Sequence, residues 1–521
     1  MLHDSPIAAR AKTSARHPTK RTLVQRRFKE EIPMAAFTAP PNTEAPSLGK
    51  RTLGVPSLVF MIIAASAPLT VVAGGITSNY AVTGVLGIPL SFVVLGLVLL
   101  IFAVGYTAMS QHVRNAGAFY AYVARGLGKA AGIGAAWVAL ISYNAMQIGI
   151  YGLFGFALSS FLAGTFALNL PWWACALIGW AIVGALGVNK VDLSAKLLGI
   201  VVACEFLVVV VYDVLAVKVA PEGVSTASLE PASLFAAGIG AALSFSIAAF
   251  MGFESGAIYG EEVKDPKSTP RRATLIAVGI IAVFYAVSAW AMAVGEGDSA
   301  VVGRSAEFGP DLVFVFLSDH VPTWFVDLGN VLFITSLLAA LIAFHNVVAR
   351  YLFSLGREGV MPRVLAHTNP RTHAPMAGSL TQSVLALIVL AIFALIGAGK
   401  DVMFPVVTLF TWLTNMGAFG LVMLMALTSF AVIGYFRSEP HGLGPWAAQV
   451  APLIAGVLLS VLFVAILMNF DVLIGLQEAS ILGWLLPVIV VLPGILGVFW
   501  ALRLRKRRPE VYARVGRGGD L

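Results

Sequence analysis

Charge and cysteine are what this 521-residue chain has least of. Charged residues make up 12% of it, against about 25% in ordinary soluble domains. The two cysteines, Cys175 and Cys204, both lie inside apolar runs, so neither a disulfide framework nor a zinc cluster can be built from them. With 59% hydrophobic residues and a mean hydropathy of +0.88, polar side chains are too few to cover a water-soluble fold. The same composition excludes a wholly disordered chain and a collagen-like repeat. There is no GxxxxGK[ST] phosphate loop, no HExxH pair and no polar stretch long enough for an ATPase domain. Neither an enzyme nor an ATP-driven pump is expected, and no cofactor is implied.

What is present is a series of long apolar runs. About 20 such residues span the hydrocarbon core as a helix. Twelve spans are expected, near 57–80, 85–110, 131–161, 171–189, 197–218, 234–259, 273–294, 325–354, 378–397, 404–436, 447–469 and 481–502. Backbone groups in lipid must be satisfied within a helix or a closed barrel, and these runs are too long and too uniformly apolar for barrel strands. The chain therefore reads as an all-α polytopic membrane protein. Its net charge of +8 reflects loop position rather than a nucleic-acid stripe. With the N-terminus in the cytoplasm, 31 of the 34 Lys and Arg fall on that side, and only Lys218, Arg304 and Lys400 outside. That asymmetry predicts a multi-pass protein of the cell membrane with both termini cytoplasmic. The first 51 residues are basic and polar, and read as a disordered N-terminus able to touch anionic lipid. Met34 opens an ordinary leader, so Met1 and Met34 are both candidate starts.

Two spans are interrupted. The first reads PSLVFMIIAASAPLT, in which Pro68 removes a backbone donor and clashes with the preceding turn. The sixth reads LSFSIAAFMGFESGAIYGEE, with Gly252 and Gly256 around the intramembrane acid Glu254. The breaks are five spans apart, so spans one to five and six to ten enter the membrane in opposite senses. Broken helices at matching positions of two inverted halves point to a transporter's midplane site.

Three strings resemble the amino acid–polyamine–organocation permeases. GFESGAIYGEEVKDPKSTPRRA (252–273) is similar to that family's sixth-helix motif, NAGAFYAYVARGLG (115–128) to its first cytoplasmic loop, and ARYLFSLGREGVMPRVL (349–365) to its loop after helix eight. The resemblance implies a five-plus-five inverted-repeat core with two extra helices. The repeats would cover 52–218 and 219–436, followed by helices eleven and twelve (437–502) and a basic cytoplasmic tail (503–521). It also implies alternating access for an amino acid or amine. In many members a Gly-rich break in helix one holds the substrate carboxylate on free amides. Here that stretch is AASAPLT, and the amides of Ala65, Ser66 and Ala67 are the candidates, since free amides bind anions. Phe250, Gly252 and Phe253 are candidate substrate contacts at the second break.

Other candidates come from polar residues at membrane depth, which usually face a cavity or mark an ion path. Glu205 sits among Cys204, Phe206 and Leu207. It stands nine residues after Lys196 of LSAK, where several proton-coupled relatives carry a lysine. The reversed charge makes Glu205 a candidate proton carrier in its own right. Glu254 reads either as a substrate contact or as a latch on the broken backbone. Asn144, Gln147 and Tyr151 share one face of span three, with Tyr143 turned away from it. Thr335 and Ser336 on span eight match a hydroxyl pair that sodium-coupled relatives use. His345 reads as a packing histidine and Asp213 as solvated. The expected function is proton-coupled import of an amino acid, with protons favoured over sodium. The alternatives are an amine or polyamine carrier and a non-transporting nutrient sensor. The partners implied are a small molecule, a coupling ion and the lipid bilayer.

Overall fold

A computed structural model describes residues 53–113, 115, 117–189, 195–258, 263–265, 267–439, 442–476 and 480–517. The expectations for residues 1–51, and those at Arg114, Lys190, Glu261 and Glu262, lie outside the described residues. Among the described residues the fold is all-helical, and strand-type pairing is confined to one bridge, Leu53 with Val263. Eleven helices are long and apolar enough to cross a membrane. Numbered by expected position they are span one (Val55–Thr83), two (Ile88–Ser110), three (Lys129–Phe166), four (Trp172–Asn189), five (Gly199–Val219), seven (Thr269–Glu296), eight (Thr323–Glu358), nine (Met376–Ile396), ten (Pro405–Ser438), eleven (Trp446–Met468) and twelve (Ile481–Arg507). At the sixth expected position the helix is interrupted. Ile239–Ala248 is helical, 249–254 is not, and Ser255–Ile258 resumes.

Several helices outrun their apolar runs because the helix continues into polar ends. Spans three and eight reach 38 and 36 residues, about 57 and 54 Å at the α-helical rise. Spans one and ten are the most buried, and spans four and nine the least. Their outward side chains, such as Leu395 and Val384 on span nine, are apolar and uncovered by protein, as a lipid-facing surface requires. The core is aromatic-rich, with Tyr106, Tyr120, Tyr143, Tyr285 and Tyr351 wholly buried.

Span one breaks where local chemistry dictates. A residue before proline is disfavoured in the α region, and the helix Val55–Ser66 ends there, with Ala67 in the left-handed region (φ 51°). The chain resumes after Pro68 as a π turn, Thr70–Ile76, followed by the helix Thr77–Thr83. Further π turns open spans ten (Pro405–Phe410) and eleven (Trp446–Val450). In the sixth segment Gly252 carries the turn at φ 107°, a region that excludes most side chains. A Cβ on Gly252 would stand 3.0 Å from the Cβ of Ala65, so the two breaks meet.

Candidate functional site

A cavity of about 60 Å³ lies where the breaks meet. Span one contributes Ala65, Ser66, Ala67, Thr70 and Val71; span three Met146 and Ile150; the sixth segment Phe245, Ala249 and Met251. Ala340 and Phe344 of span eight and Phe410 and Thr414 of span ten complete the wall. Among the described residues no charged side chain lines it. Its polar groups are hydroxyls already engaged. Ser66 donates to the carbonyl of Ala249 at 2.9 Å and pairs with the Tyr285 hydroxyl at 2.6 Å. Thr70 donates to Ser336 at 3.2 Å, and Thr414 to the Phe410 carbonyl at 2.6 Å.

Ala65, Ser66 and Ala67 are at the cavity, but their amides are not free. Pro68 ends the helix after these three residues, so they stand at a helix C-terminus, where carbonyls rather than amides are left over. The Ala67 amide closes on the carbonyls of Ile63 and Ala64, both at 3.1 Å. This end of a helix attracts positive charge. The amide that Pro68 does leave without a helical partner is that of Leu69, and Glu205 takes it at 3.3 Å.

Glu205 is buried between spans one, five and eight. The carboxylate oxygen that receives Leu69 also accepts from Ser336 at 2.8 Å, and Ser336 receives Thr70. One carboxylate thus ties the broken helix to span eight. Thr335 stays out of this group and donates to the Leu332 carbonyl on its own helix.

Glu254 is a latch. One oxygen accepts the Gly252 amide at 2.9 Å and the other the Tyr143 hydroxyl at 2.7 Å, while its carbonyl accepts Tyr106 at 3.1 Å. Tyr143, set aside on the helical wheel, therefore reaches the second break through Glu254. Phe250 and Phe253 point away from the cavity. Phe250 packs on Phe92 and Tyr285, and Phe253 edge-on against Phe102. Ala249 and Met251 face the cavity in their place, because the chain leaves the helical period there.

The polar stripe of span three also faces elsewhere. Gln147 donates to Tyr151 at 3.3 Å, pairs with the Nδ1 of His345 at 3.3 Å and accepts from Gln382 of span nine. His345 completes the cluster with Ser379 at 2.7 Å. Asn144 donates to the Leu140 carbonyl on its own helix. Gln147, His345, Ser379 and Gln382 join spans three, eight and nine, and none of them lines the cavity. Asp213 is buried rather than solvated, since span seven covers it and Ser288 donates to it at 2.9 Å.

Comparison with known proteins bears on the class of solute. The family described as "Amino acid permease" matches residues 53–495. The branched-chain amino acid permease BcaP of Bacillus subtilis (strain 168) is 24% identical over 349 residues, covering 63% of this chain and 71% of that protein. BcaP of Lactococcus lactis subsp. cremoris (strain MG1363) is 24% identical over 352 residues, 62% of this chain and 73% of its own. An uncharacterized transporter of Mycobacterium tuberculosis (strain ATCC 25618 / H37Rv) is 29% identical over 154 residues, 30% of this chain and 32% of that protein.

Proposed function

We propose, from the premise that the chain belongs to the amino acid permease family, that it imports amino acids with aliphatic side chains by proton-coupled alternating access. The observation that carries this reading is the cavity between the breaks, walled by Val71, Met146, Ile150, Phe245, Phe344 and Phe410. A charged substrate side chain would be desolvated there without a counter-charge, at a cost of several kcal/mol. A polyamine would need carboxylates in the wall, and both nearby acids are spent on backbone and hydroxyl donors. The carbonyl-rich end of Val55–Ser66 suits a substrate ammonium, and the names of the relatives agree with a branched apolar side chain.

Coupling is assigned to Glu205. Ionised, it accepts from Leu69 and Ser336 and holds span one to span eight. Protonated on its other oxygen, it becomes a neutral and weaker acceptor, which loosens that tie. Proton uptake on one side and release on the other would then bias the bundle between outward and inward openings. The orientation follows the positive-inside reading, with both termini in the cytoplasm. The repeats are taken as 52–218 and 219–436, related by inversion.

The test is uptake into proteoliposomes of labelled leucine, isoleucine, valine, lysine, glutamate and putrescine, with and without a pH gradient. Leucine-type substrates should be carried and putrescine not; the reverse result sinks the aliphatic reading. One pH unit is worth about 1.4 kcal/mol per proton, so one-to-one coupling supports about ten-fold accumulation. Glu205→Gln should still exchange leucine yet fail to concentrate it. A mutant that accumulates leucine as well as the parent removes coupling from Glu205.

A further inference from the structure

The last described stretch of the chain is rich in arginine, yet it is built into the bundle. After span twelve the chain turns at Arg508 and forms a short helix, Pro509–Arg514. Val515 behind it is 1% exposed. Gly516 at φ 75° aims its amide at the carboxylate of Glu358, with 3.1 Å to each oxygen. One further hydrogen bond holds the segment, and one residue at the end of span eight lies close beside it. Lys129, at the start of span three, donates to the Ala513 carbonyl at 2.7 Å. Val511 lies 3.5 Å from where a Cβ of Gly359 would stand.

Glu358 is the final residue of span eight and is fully buried. It also accepts from Asn115 at 3.3 Å, in the link between spans two and three. Asn115 in turn receives the amide of Gly117 at 2.9 Å, next to the short helix Phe119–Gly126. Three separate parts of the chain therefore converge on one carboxylate. Span eight is one continuous helix, and the same element carries Ser336 at the Glu205 tie and Phe344 at the cavity wall. Ser336 and Glu358 are about 33 Å apart along its axis at the α-helical rise. A tilt of span eight that changes the cavity must also carry Glu358 away from Asn115 or from Gly516.

We propose that residues 509–517 form a strap that holds this end of the bundle closed through Glu358, and that its release sets the rate at which the cavity opens there. A carboxylate accepting several N–H donors is a strong acceptor, and the short helix Pro509–Arg514 lies outside the spans that wall the cavity, so it can part from Glu358 without disturbing them. The strap is thus a resident brake on opening.

The test uses the full chain in proteoliposomes, with Cys175 and Cys204 replaced by alanine. Val511→Cys with Gly359→Cys places a disulfide across the strap, and Gly359→Cys alone controls for strain at that position. Oxidation should lower leucine uptake about ten-fold or more and reductant should restore it, because turnover requires the conformational step. A chain ending at Arg508 should exchange leucine roughly two- to five-fold faster. In that background Ala340→Cys, on the cavity wall, should react faster with an impermeant thiol reagent applied from the strap side. An oxidised tether that transports at the reduced rate overturns the proposal, as does a truncated chain whose Ala340→Cys labels no faster. Labelling needs no substrate, so a protein that does not carry leucine defeats the functional reading while the strap is still decided. If the truncated chain fails to insert, the reversible tether decides it.

Discussion

Gly252→Ala adds one methyl group at the point where the two broken helices touch. Gly252 holds φ at 107°, and alanine in so sparsely populated a region costs about 1–3 kcal/mol. The new Cβ would meet Ala65 at 3.0 Å from its Cβ and 3.1 Å from its carbonyl carbon and oxygen. Backbone atoms cannot swing aside, and overpacking of this kind costs a further 1–3 kcal/mol or so. The sum is roughly 2–6 kcal/mol, which in a chain of 521 residues lowers the melting temperature by roughly 2–6 °C. Gly399→Ala is the matched control, for Gly399 has φ 72° and open space around its Cβ position, so it bears the backbone cost alone. The assay is a thermal melt of the detergent-solubilised protein followed by tryptophan fluorescence, paired with leucine binding. Gly252→Ala should melt below Gly399→Ala and bind leucine more weakly, because the strain is relieved by parting the breaks. If the two variants melt together and leucine affinity is that of the parent, the close approach of Gly252 to Ala65 does not build the site.

Tyr143→Phe keeps the ring packed on Phe344 and Tyr351 but takes a donor from Glu254; about 1–3 kcal/mol of stability should go with it, and an unchanged melt would show that Glu254 is not held from span three. Gln147→Leu takes the partner of the Gln382 amide and of the His345 Nδ1, leaving His345 its bond to Ser379, so it should lower the melting temperature while leaving the ranking of leucine, isoleucine and valine uptake as it was; an altered ranking would bring that cluster into the substrate path. Orientation is best read at Lys400→Cys and Arg371→Cys, both exposed, because Arg304 is paired with the buried Glu296 and its loss would perturb the fold. An impermeant thiol reagent should label position 400 but not 371 in intact cells, and the opposite pattern reverses the topology.

Both breaks were legible in the sequence because their causes are local. Pro68 acts on the residue before it, and a glycine beside an intramembrane acid marks a turn that a side chain would obstruct. The spans were legible because the bilayer imposes length and apolarity together. What escaped depended on which neighbour each helix face meets. Gln147 and Tyr151 form a stripe that must face protein, but Gln147 meets His345 of span eight and Gln382 of span nine rather than the cavity. The face that does look inward runs through Tyr143, Met146 and Ile150, again at helical spacing, and its apolar members gave no polar signal. Ser336 and Thr335 are adjacent hydroxyls of equal chemical promise, and only the rotation of span eight decides that Ser336 meets Glu205. Asp213 looked solvated from its distance to the helix end, whereas burial came from a helix about 75 positions later. The basic segment after span twelve read as a tail because composition carries no sign of an acceptor at Glu358.

The π turn at Thr70–Ile76 gives span one a reserve of length. A π turn closes its hydrogen bonds one residue further along than an α-helix does, and so holds an extra residue for the same advance. Loss of one residue there can be absorbed by tightening the coil, and the helix beyond keeps its facing. Asn79 would still reach the Ala242 carbonyl and Ser246, and Tyr80 the Ala289 carbonyl. The same loss within Val55–Ser66 has no slack to draw on, and would turn everything on one side of it by about 100°. Chain-length variation in this helix is therefore expected on the far side of Pro68 and not on the near side.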